Sequence, residues 1–541
     1  MAFAAAAEAR TGAAKGQLAA LLETALARAL RARHTPASLR CLHAFLDLAL
    51  PERAERAVRE VLVAPAVQAA LADAKASAGA DGGLPGVLAR VERSVEAACG
   101  ALLREAAAPG SGLGALDLLG GAVLAEVSSS LATALPAAFS PGNPAAFHAN
   151  FIAASRWLEG LEGAYCADRA GVDALRAGPA HAAFLRRWNL AVYCSLLVQE
   201  LAGGLEDAAR AEGFVPAPAS AAAAAAPGSP LLRSAVSALL ATSLQRCIDP
   251  DVFLPQCADR FFKLAAQLCA RYASWVAGVA TARRDPAAHA GAWAAGASLE
   301  LLATIVADAE AAADLVQHGF GPQFGGVLQA AALAPAGPGA PDVVSAARGA
   351  FTDAARAIAD AARPLLAAIA GELADGCVAV VRQLKGITAT YRMTSKGPPV
   401  RHSHYVTGVL QPLAAFLEGD AGRGLSRAMQ QALLSDVVDA TSGRYATLAD
   451  ELVVTVQKTE SSLKRLKKGK AGDGEGAPAG GPGGPDAMSD AGKICLQLFL
   501  DVREYGRLAA RMGAPVAAQP SYQALWRMVA PPEQADSINF E

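Results

Sequence analysis

Large apolar residues recur every three or four positions in many segments of this 541-residue chain. Three of these stripes cover residues 261–279, 445–466 and 494–512. Such spacing gives a helix one apolar face, whereas a half-buried strand would alternate apolar and polar positions. Sustained alternation is hard to find in the chain. The pattern therefore predicts an all-α protein.

Three dipeptides carry the signal expected where a helix starts, because a side chain that can cap the helix precedes its first turn. In two of them a proline follows, and proline is favoured at the first helical position. The three pairs are Asn143-Pro144, Asp249-Pro250 and Ser489-Asp490.

Segments rich in proline, glycine and alanine divide the chain, because they cannot bury an apolar core. No fixed-period repeat is visible, so a helical solenoid of regular repeats is not supported. The predicted blocks are an N-terminal helical bundle region at 1–213, a middle helical region at 231–330, a C-terminal helical domain at 342–468 and C-terminal helices at 489–541, with linkers at 214–230, 331–341 and 469–488.

Charge and cysteine content limit the possible partners and the cellular compartment of the protein. Alanine dominates the apolar content, and it favours helices but can also reflect genomic base composition, so the stripes of large residues carry the fold prediction. The 48 basic and 50 acidic residues nearly cancel, which gives no overall attraction to nucleic acid. The nine cysteines are scattered singly, as expected for reduced thiols of a cytosolic protein.

No signal peptide is visible at the start of the sequence. Two uncharged stretches, 213–232 and 315–341, reach the roughly 20 residues that a membrane span needs. Proline and glycine interrupt both, so we expect them to be loops. We therefore expect any membrane contact to be peripheral.

Candidate chemistry is sparse. His402 and His404 could both bind a metal ion, but no nearby cysteine or carboxylate completes a ligand set, and a solvated turn is the alternative. Ser461 and Lys464 fit the S-x-x-K spacing of a serine nucleophile, without the companion motifs of that family. We therefore predict no catalytic residue, no metal site and no cofactor.

One run of positive charge closes the helix predicted from the stripe at 445–466. It is either a solvated helix end, where cations interact favourably with the helix macrodipole, or a contact site for an acidic partner or anionic lipid headgroups. Nuclear targeting or nucleic-acid binding is less favoured, because no aromatic residues accompany the charges. The stripe itself could form a coiled-coil seam or pack inside a bundle. The residues of this basic cluster are Lys464, Arg465, Lys467, Lys468 and Lys470.

Several short segments, taken in order, resemble subunit 2 of the conserved oligomeric Golgi complex. No single segment is specific to this family. The shared order of the segments, from about residue 38 to the end, is specific. The segments are LPAAFSPGNPAAFH at 135–148, RRWNLAVY at 186–193, FLP at 253–255, ARY at 270–272, GITATYRMT at 386–394, YV at 405–406, LQPL at 410–413, TESSLKRL at 459–466, MSD at 488–490 and KICLQLFLDV at 493–502.

This resemblance implies an elongated rod of stacked helical bundles that forms a non-catalytic subunit of a vesicle tether. Its expected role is intra-Golgi retrograde transport and Golgi organisation, on the cytosolic face of the membrane. Expected partners are the sister subunits, together with vesicle-fusion proteins and small GTPases. The family has no active-site residues to transfer to this sequence.

Two alternatives remain open from the residues alone: a helical adaptor or scaffold of another cytosolic complex, and a helical bundle that binds a ligand in its core. The sequence also departs from the family in one respect. Members usually begin with a further coiled-coil region that binds sister subunits, and we expect this region to be missing here.

Overall fold

The computed structural model describes residues 2–76, 83–218, 232–331, 342–392, 394, 396–470, 488–535 and 537–540. The side chains of residues 2–9 and 463–470 lie outside this description. Helices dominate the described ranges, which contain no β-strand and one isolated bridge, between Pro216 and Ser234. The predicted all-α class is confirmed.

Two compact units make up the chain. Unit 1 comprises Met1–Leu201 and Arg246–Phe261, and unit 2 comprises Ala202–Gln245 and Phe262–Glu541. The linkers predicted at 214–230, 331–341 and 469–488 lie largely outside the described residues. The predicted division into four blocks therefore stays a prediction.

Ten helices are described between residues 2 and 209, together with π-helical segments at Arg59–Val63 and Leu118–Leu124. Helix α5 packs against both α4 and α7 in unit 1. The helices are α1 Ala2–Arg31, α2 Thr35–Asp47, α3 Pro51–Val58, α4 Ala64–Ala76, α5 Gly83–Ala107, α6 Ala125–Ala134, α7 Pro144–Tyr165, α8 Arg169–Ala177, α9 Pro179–Arg187 and α10 Leu190–Ala209.

The remaining helices follow from residue 235 onward. In unit 2, α15 packs against α13, α14 and α19, and α19 packs against α20 and α21. The helices are α11 Ala235–Ile248, α12 Ala258–Arg284, α13 Leu299–Asp314, α14 Gly321–Ala330, α15 Val343–Val381, α16 Gly386–Tyr391, α17 Gln411–Glu418, α18 Asp420–Gly424, α19 Arg427–Lys470, α20 Asp490–Arg511 and α21 Pro520–Val529.

The predicted apolar stripes form the buried faces of their helices. On α12, Leu264, Leu268 and Tyr272 are almost fully buried. Farther along, Val276 occupies the core, whereas Trp275 is only half-buried. The stripes on α19 and α20 behave alike: Tyr445, Leu452 and Val456 are buried on the first, and Ile494, Leu498, Val502 and Tyr505 on the second. For the described part of α19, packing inside a bundle is therefore the observed arrangement.

Two of the three predicted helix starts are confirmed. Asn143 Oδ1 accepts a hydrogen bond from the Ala146 amide at 3.2 Å and begins α7. Ser489 Oγ does the same for the Gly492 amide at 3.1 Å and begins α20. Each cap satisfies an amide that the first helical turn leaves without a partner.

The third predicted start was wrong. Asp249 follows the end of α11, and its carboxylate accepts from the Asp251 amide at 2.9 Å, which closes a tight turn. The next helix begins only at Ala258. The chain stays irregular here because Val252, Phe253 and Leu254 turn into the core. Local capping chemistry was overridden by tertiary burial.

A buried carboxylate from a different helix holds the backbone just before α11, and local sequence patterns do not predict it. The carboxylate of Asp308, on α13, is almost fully buried. Its two oxygens accept from the backbone amides of Arg233 at 2.9 Å and Ser234 at 2.7 Å, just before α11 begins. Because an unpaired buried carboxylate would be costly, these two bonds explain how Asp308 is tolerated in the core of unit 2.

Among the described residues, one helix is long and apolar enough to cross a membrane by length and composition, namely 343–391, which contains α15. This helix is not an uncharged stretch of the sequence, because charged residues are spaced along it. Leu365, Ile369, Leu373 and Cys377 are buried against neighbouring helices, as in a core helix. The prediction of a loop at 315–341 was wrong for 315–330, which forms a π-helical turn and α14.

Candidate functional site

An aromatic cluster in unit 1 lies where three of the short segments that carry the family resemblance meet. We call these short segments the signature segments. Its centre is Trp188, whose ring centroid lies 5.6 Å from that of Phe147, 5.4 Å from that of Phe151 and 6.4 Å from that of Phe184. All three pairs have the edge-to-face geometry that aromatic quadrupoles favour. Phe147 also stacks on Tyr193 at 5.2 Å.

Two polar bonds tie this cluster to the segment around Phe253. The His148 Nε2 atom lies 3.1 Å from the Phe253 carbonyl oxygen. The Tyr193 hydroxyl donates to the Val252 carbonyl at 2.7 Å. His148 and Tyr193 are buried, and buried polar groups need such partners. Segments 135–148, 186–193 and 253–255 therefore form one packed unit, although His148 and Phe253 are 105 positions apart in the sequence.

A second cluster, in unit 2, is a buried polar network centred on Asp501 of α20. The Asp501 carboxylate is fully buried. It accepts from the Ser403 amide at 2.6 Å, from Gln497 Nε2 at 2.9 Å and from the Tyr405 hydroxyl at 3.0 Å. We call Asp501 and its bonded partners the Asp501 network.

Proton directions within this network follow from the number of donors. Tyr405 has one hydroxyl hydrogen and gives it to Asp501, so Tyr445, whose hydroxyl oxygen lies 2.9 Å from that of Tyr405, donates to Tyr405. Gln497 extends the network: its side-chain oxygen accepts from the Tyr391 hydroxyl, and its amide also donates to the Arg401 carbonyl, both at 2.9 Å.

Burial controls the ionisation of these groups. It raises the pKa of Asp501 above the ordinary 3.8, and the bonds from Ser403 and Gln497 work against that rise. Burial, with the charge of Asp501 nearby, also raises the pKa of Tyr445 well above 10. The tyrosine hydroxyls therefore stay protonated as donors. Segments 386–394, 405–406 and 493–502 meet in this network.

The two histidines considered for metal binding are not part of a ligand set. His402 Nδ1 lies 3.1 Å from the Ser403 carbonyl oxygen, and His404 opens a short 3-10 turn, where it is exposed. Within the described residues, no group of three or more histidine, cysteine or acidic side chains could hold a metal ion.

Ser461 and Ser462 are exposed on α19, and their hydroxyls donate to the carbonyls of Gln457 and Lys458 one turn earlier. These bonds are ordinary for serine inside a helix. Lys464, Arg465, Lys467, Lys468 and Lys470 belong to α19 by their backbone, but their side chains lie outside the described residues.

Sequence reasoning missed the Asp501 network. A signal was available: Gln497 and Asp501 lie four residues apart, directly beside the apolar positions 494, 498 and 505 of one helix face. Polar residues at the edge of a buried stripe require partners. Those partners come from positions about a hundred residues earlier in the chain, which no local pattern identifies.

Most polar groups of the two clusters are bonded internally. The Asp501 carboxylate accepts three hydrogen bonds from its neighbours, and two bonds to backbone carbonyls hold the aromatic cluster. The exception is the indole N–H of Trp188, which is buried without a hydrogen-bond partner among the described residues. Such networks fix the packing of segments that are far apart in sequence. The arrangement suits a protein that presents stable helical surfaces.

Comparisons with known proteins cover most of these segments. A family model described as "COG complex component, COG2, C-terminal" matches residues 186–502. The chain is 32% identical over 505 residues to an Arabidopsis thaliana protein named conserved oligomeric Golgi complex subunit 2. Proteins of the same name from Homo sapiens and Drosophila melanogaster are 29% and 25% identical over 443 and 487 residues.

These alignments cover most of this chain but less of the relatives. They include 92%, 76% and 87% of this chain for the three species in turn. The shares of the relatives' own lengths are 65%, 57% and 64%. The chain thus spans less than two thirds of the length of these curated relatives. The resemblance inferred from the signature segments is confirmed.

Proposed function

Since the chain belongs to the family of conserved oligomeric Golgi complex subunit 2, we propose that it is a non-catalytic subunit of a vesicle-tethering complex in intra-Golgi retrograde transport. The observation that carries this proposal is the family match over residues 186–502, which includes segments of both clusters. The name of the relatives supports membership of a Golgi complex, and the tethering role is our inference from the family.

We further propose that the chain binds sister subunits and lies peripherally on the cytosolic face of the Golgi membrane. The fold supports assembly, because buried clusters in each unit fix the packing of its helices. Vesicle-fusion proteins and small GTPases are proposed as additional partners. The proposed surfaces are helical, and helix faces recognise partner helices through apolar positions spaced three and four residues apart.

Affinity purification of the tagged chain from cells, followed by mass spectrometry, tests assembly. The tagged Arabidopsis relative serves as the positive control. We expect the chain to recover other subunits of the same complex in stable proportion. If the relative recovers them and the chain does not, this chain does not carry the assembly surface, and the proposal fails for it.

Fluorescence imaging of the tagged chain tests the proposed location. We expect a signal that overlaps a Golgi marker and disperses when the Golgi is dispersed. A diffuse or nuclear signal that ignores Golgi dispersal would instead indicate an adaptor of another cytosolic complex.

A further inference from the structure

The longest stretch of the chain without acidic residues lies in unit 2. Between Asp375 and Glu418 there is no aspartate or glutamate, although the whole chain carries slightly more acidic than basic residues. All five lysines and arginines of this acid-free stretch are exposed: Arg382, Lys385, Arg392, Lys396 and Arg401. A stretch of one charge sign in a balanced chain indicates a local electrostatic preference.

Helix α20 holds part of this stretch in place. Lys493 Nζ donates to the Lys396 carbonyl at 2.8 Å, and Gln497 Nε2 donates to the Arg401 carbonyl at 2.9 Å. Asp501 accepts from the Ser403 amide at 2.6 Å. These three side chains are spaced four residues apart, so they lie on one face of α20 and cover about 12 Å of its length. We call residues 396–403 the held segment.

The held segment presents apolar and positive groups to solvent. Val400 is 90% exposed, the most exposed of the large apolar residues described. Pro398 is also exposed, with Lys396 and Arg401 on either side of the pair. Pro398 and Pro399 have no backbone N–H group. Covering this tip would therefore desolvate fewer donors than covering an ordinary loop of the same length.

The two cations of the held segment are not paired with carboxylates of the described residues. Within the part of the chain that the structure describes, neither Lys396 nor Arg401 forms an ion pair. Acidic groups nearby have other partners: Asp490 lies 3.8 Å from Lys493, and Glu504, which faces His402, is bound by Arg507 at 2.7 Å. The positive charge around Val400 is therefore available to an external anion.

We propose that the held segment is a membrane-contact site, in which Val400 enters the interface of an anionic phospholipid bilayer while Lys396 and Arg401 contact its headgroups. A protein partner would need carboxylates placed opposite each cation, whereas an anionic bilayer presents negative headgroups at any spacing. A bilayer therefore suits cations that are spaced along the chain. A groove that recognises polyproline segments reads prolines separated by two residues, whereas Pro398 and Pro399 are adjacent. This site rests on the proposed peripheral membrane location and specifies the residues that would provide it, whereas assembly with sister subunits does not require the site.

Vesicle co-sedimentation of the full chain tests the charge requirement. The vesicles contain phosphatidylcholine alone or with about one third phosphatidylserine. We expect binding only to the anionic vesicles, weakening as salt rises. The Lys396→Glu/Arg401→Glu variant should partition at least about tenfold less, whereas the matched Lys263→Glu/Arg284→Glu variant, with the same charge change at exposed residues of α12, should bind like the unmodified chain.

Insertion of Val400 is tested separately. In the Val400→Trp variant, brominated phospholipids should quench the added fluorescence, and Val400→Ser should weaken binding without any charge change. Equal binding of the chain to neutral and anionic vesicles would overturn the proposal. So would an equal loss of vesicle binding in the two charge variants, or a tryptophan at position 400 whose fluorescence is not quenched.

Two further outcomes would assign the surface elsewhere and also overturn the proposal. If alanine replacement of the basic cluster at 464–470 abolishes vesicle binding while Lys396→Glu/Arg401→Glu leaves it intact, the basic cluster is the lipid site. If Lys396→Glu/Arg401→Glu loses co-purifying subunits but binds vesicles normally, the held segment is a protein interface. Recovery of sister subunits by a chain that binds no vesicles would leave the proposed function standing, so the two failures are distinguishable.

Discussion

At the scale of single residues, Leu268 shows how strongly one stripe position determines stability. Its side chain is fully buried on α12. Leu268→Asp would place an unpaired charge there, and we expect the free energy of unfolding to fall by several kcal/mol. Ala277→Asp, at an exposed position of the same helix, should cost less than about 1 kcal/mol. Thermal denaturation followed by circular dichroism compares them; an unchanged melting temperature for Leu268→Asp would show that the core assignment is wrong.

Asp501 predicts a pH dependence. Burial raises its pKa in the folded chain above 3.8, so the unfolded chain loses the proton first as pH rises. The stabilising contribution of Asp501 is therefore fully present below pH 3.8 and diminishes as pH rises through the folded-state pKa. Asp501→Ala leaves the partners of the carboxylate unsatisfied, which costs about 1–3 kcal/mol.

We therefore expect the stability difference between the unmodified chain and Asp501→Ala to be larger in acid than at neutral pH. Urea denaturation across this pH range measures it. Asp353→Ala is the control, because the Asp353 side chain is 73% exposed and pairs only with Arg356 on the same helix. A difference that grows toward neutral pH would contradict the assigned direction of the pKa shift.

At the scale of elements, two glycines inside helices should respond in opposite ways to alanine. A Cβ atom at Gly506 of α20 would overlap the Tyr522 hydroxyl, which bonds the Val502 carbonyl at 3.0 Å. A Cβ atom at Gly349 of α15 meets nothing within 4 Å. Gly506→Ala should cost about 1–3 kcal/mol through overpacking, and Gly349→Ala should gain about 0.5–1 kcal/mol through helix propensity.

Chemical denaturation of both variants beside the unmodified chain measures these changes. If both alanines were stabilising, helix propensity would outweigh packing at Gly506. The close approach of α20 and α21 at that position would then be wrong.

The helices themselves could largely be predicted, because their signals are local. Apolar spacing placed the buried faces of α12, α19 and α20, and side-chain caps placed the starts of α7 and α20. The failures at Asp249 and at 315–330 have one cause: burial of neighbouring apolar residues decided the backbone, and local signals do not record burial. The bonds of Asp308 to Arg233 and Ser234 and those of the Asp501 network join residues about 75 and 100 positions apart, so no local pattern could reveal them.

At the scale of the whole molecule, the order of the signature segments carried more information than any residue within them. Each segment is short and ordinary, yet three meet in the aromatic cluster of unit 1 and three in the Asp501 network of unit 2. Sequence order alone could not show which segments pack together. Their packing explains physically why these signature segments occur together, because each segment supplies one side of a buried contact.

The thiols offer a test that spans both units. All nine cysteines are free; six are buried, and Cys41, Cys166 and Cys495 are partly exposed. Burial raises the pKa of Cys99 and Cys269 to about 12 and that of Cys377 to about 11, so these thiols carry almost no reactive thiolate near neutral pH. In a colorimetric thiol titration, we expect at most three groups to react in the native chain and all nine after denaturation without reductant. Fast reaction of more than three would show that the buried set is wrong, and fewer than nine after denaturation would reveal a disulfide and contradict the reduced state predicted from the scattered cysteines.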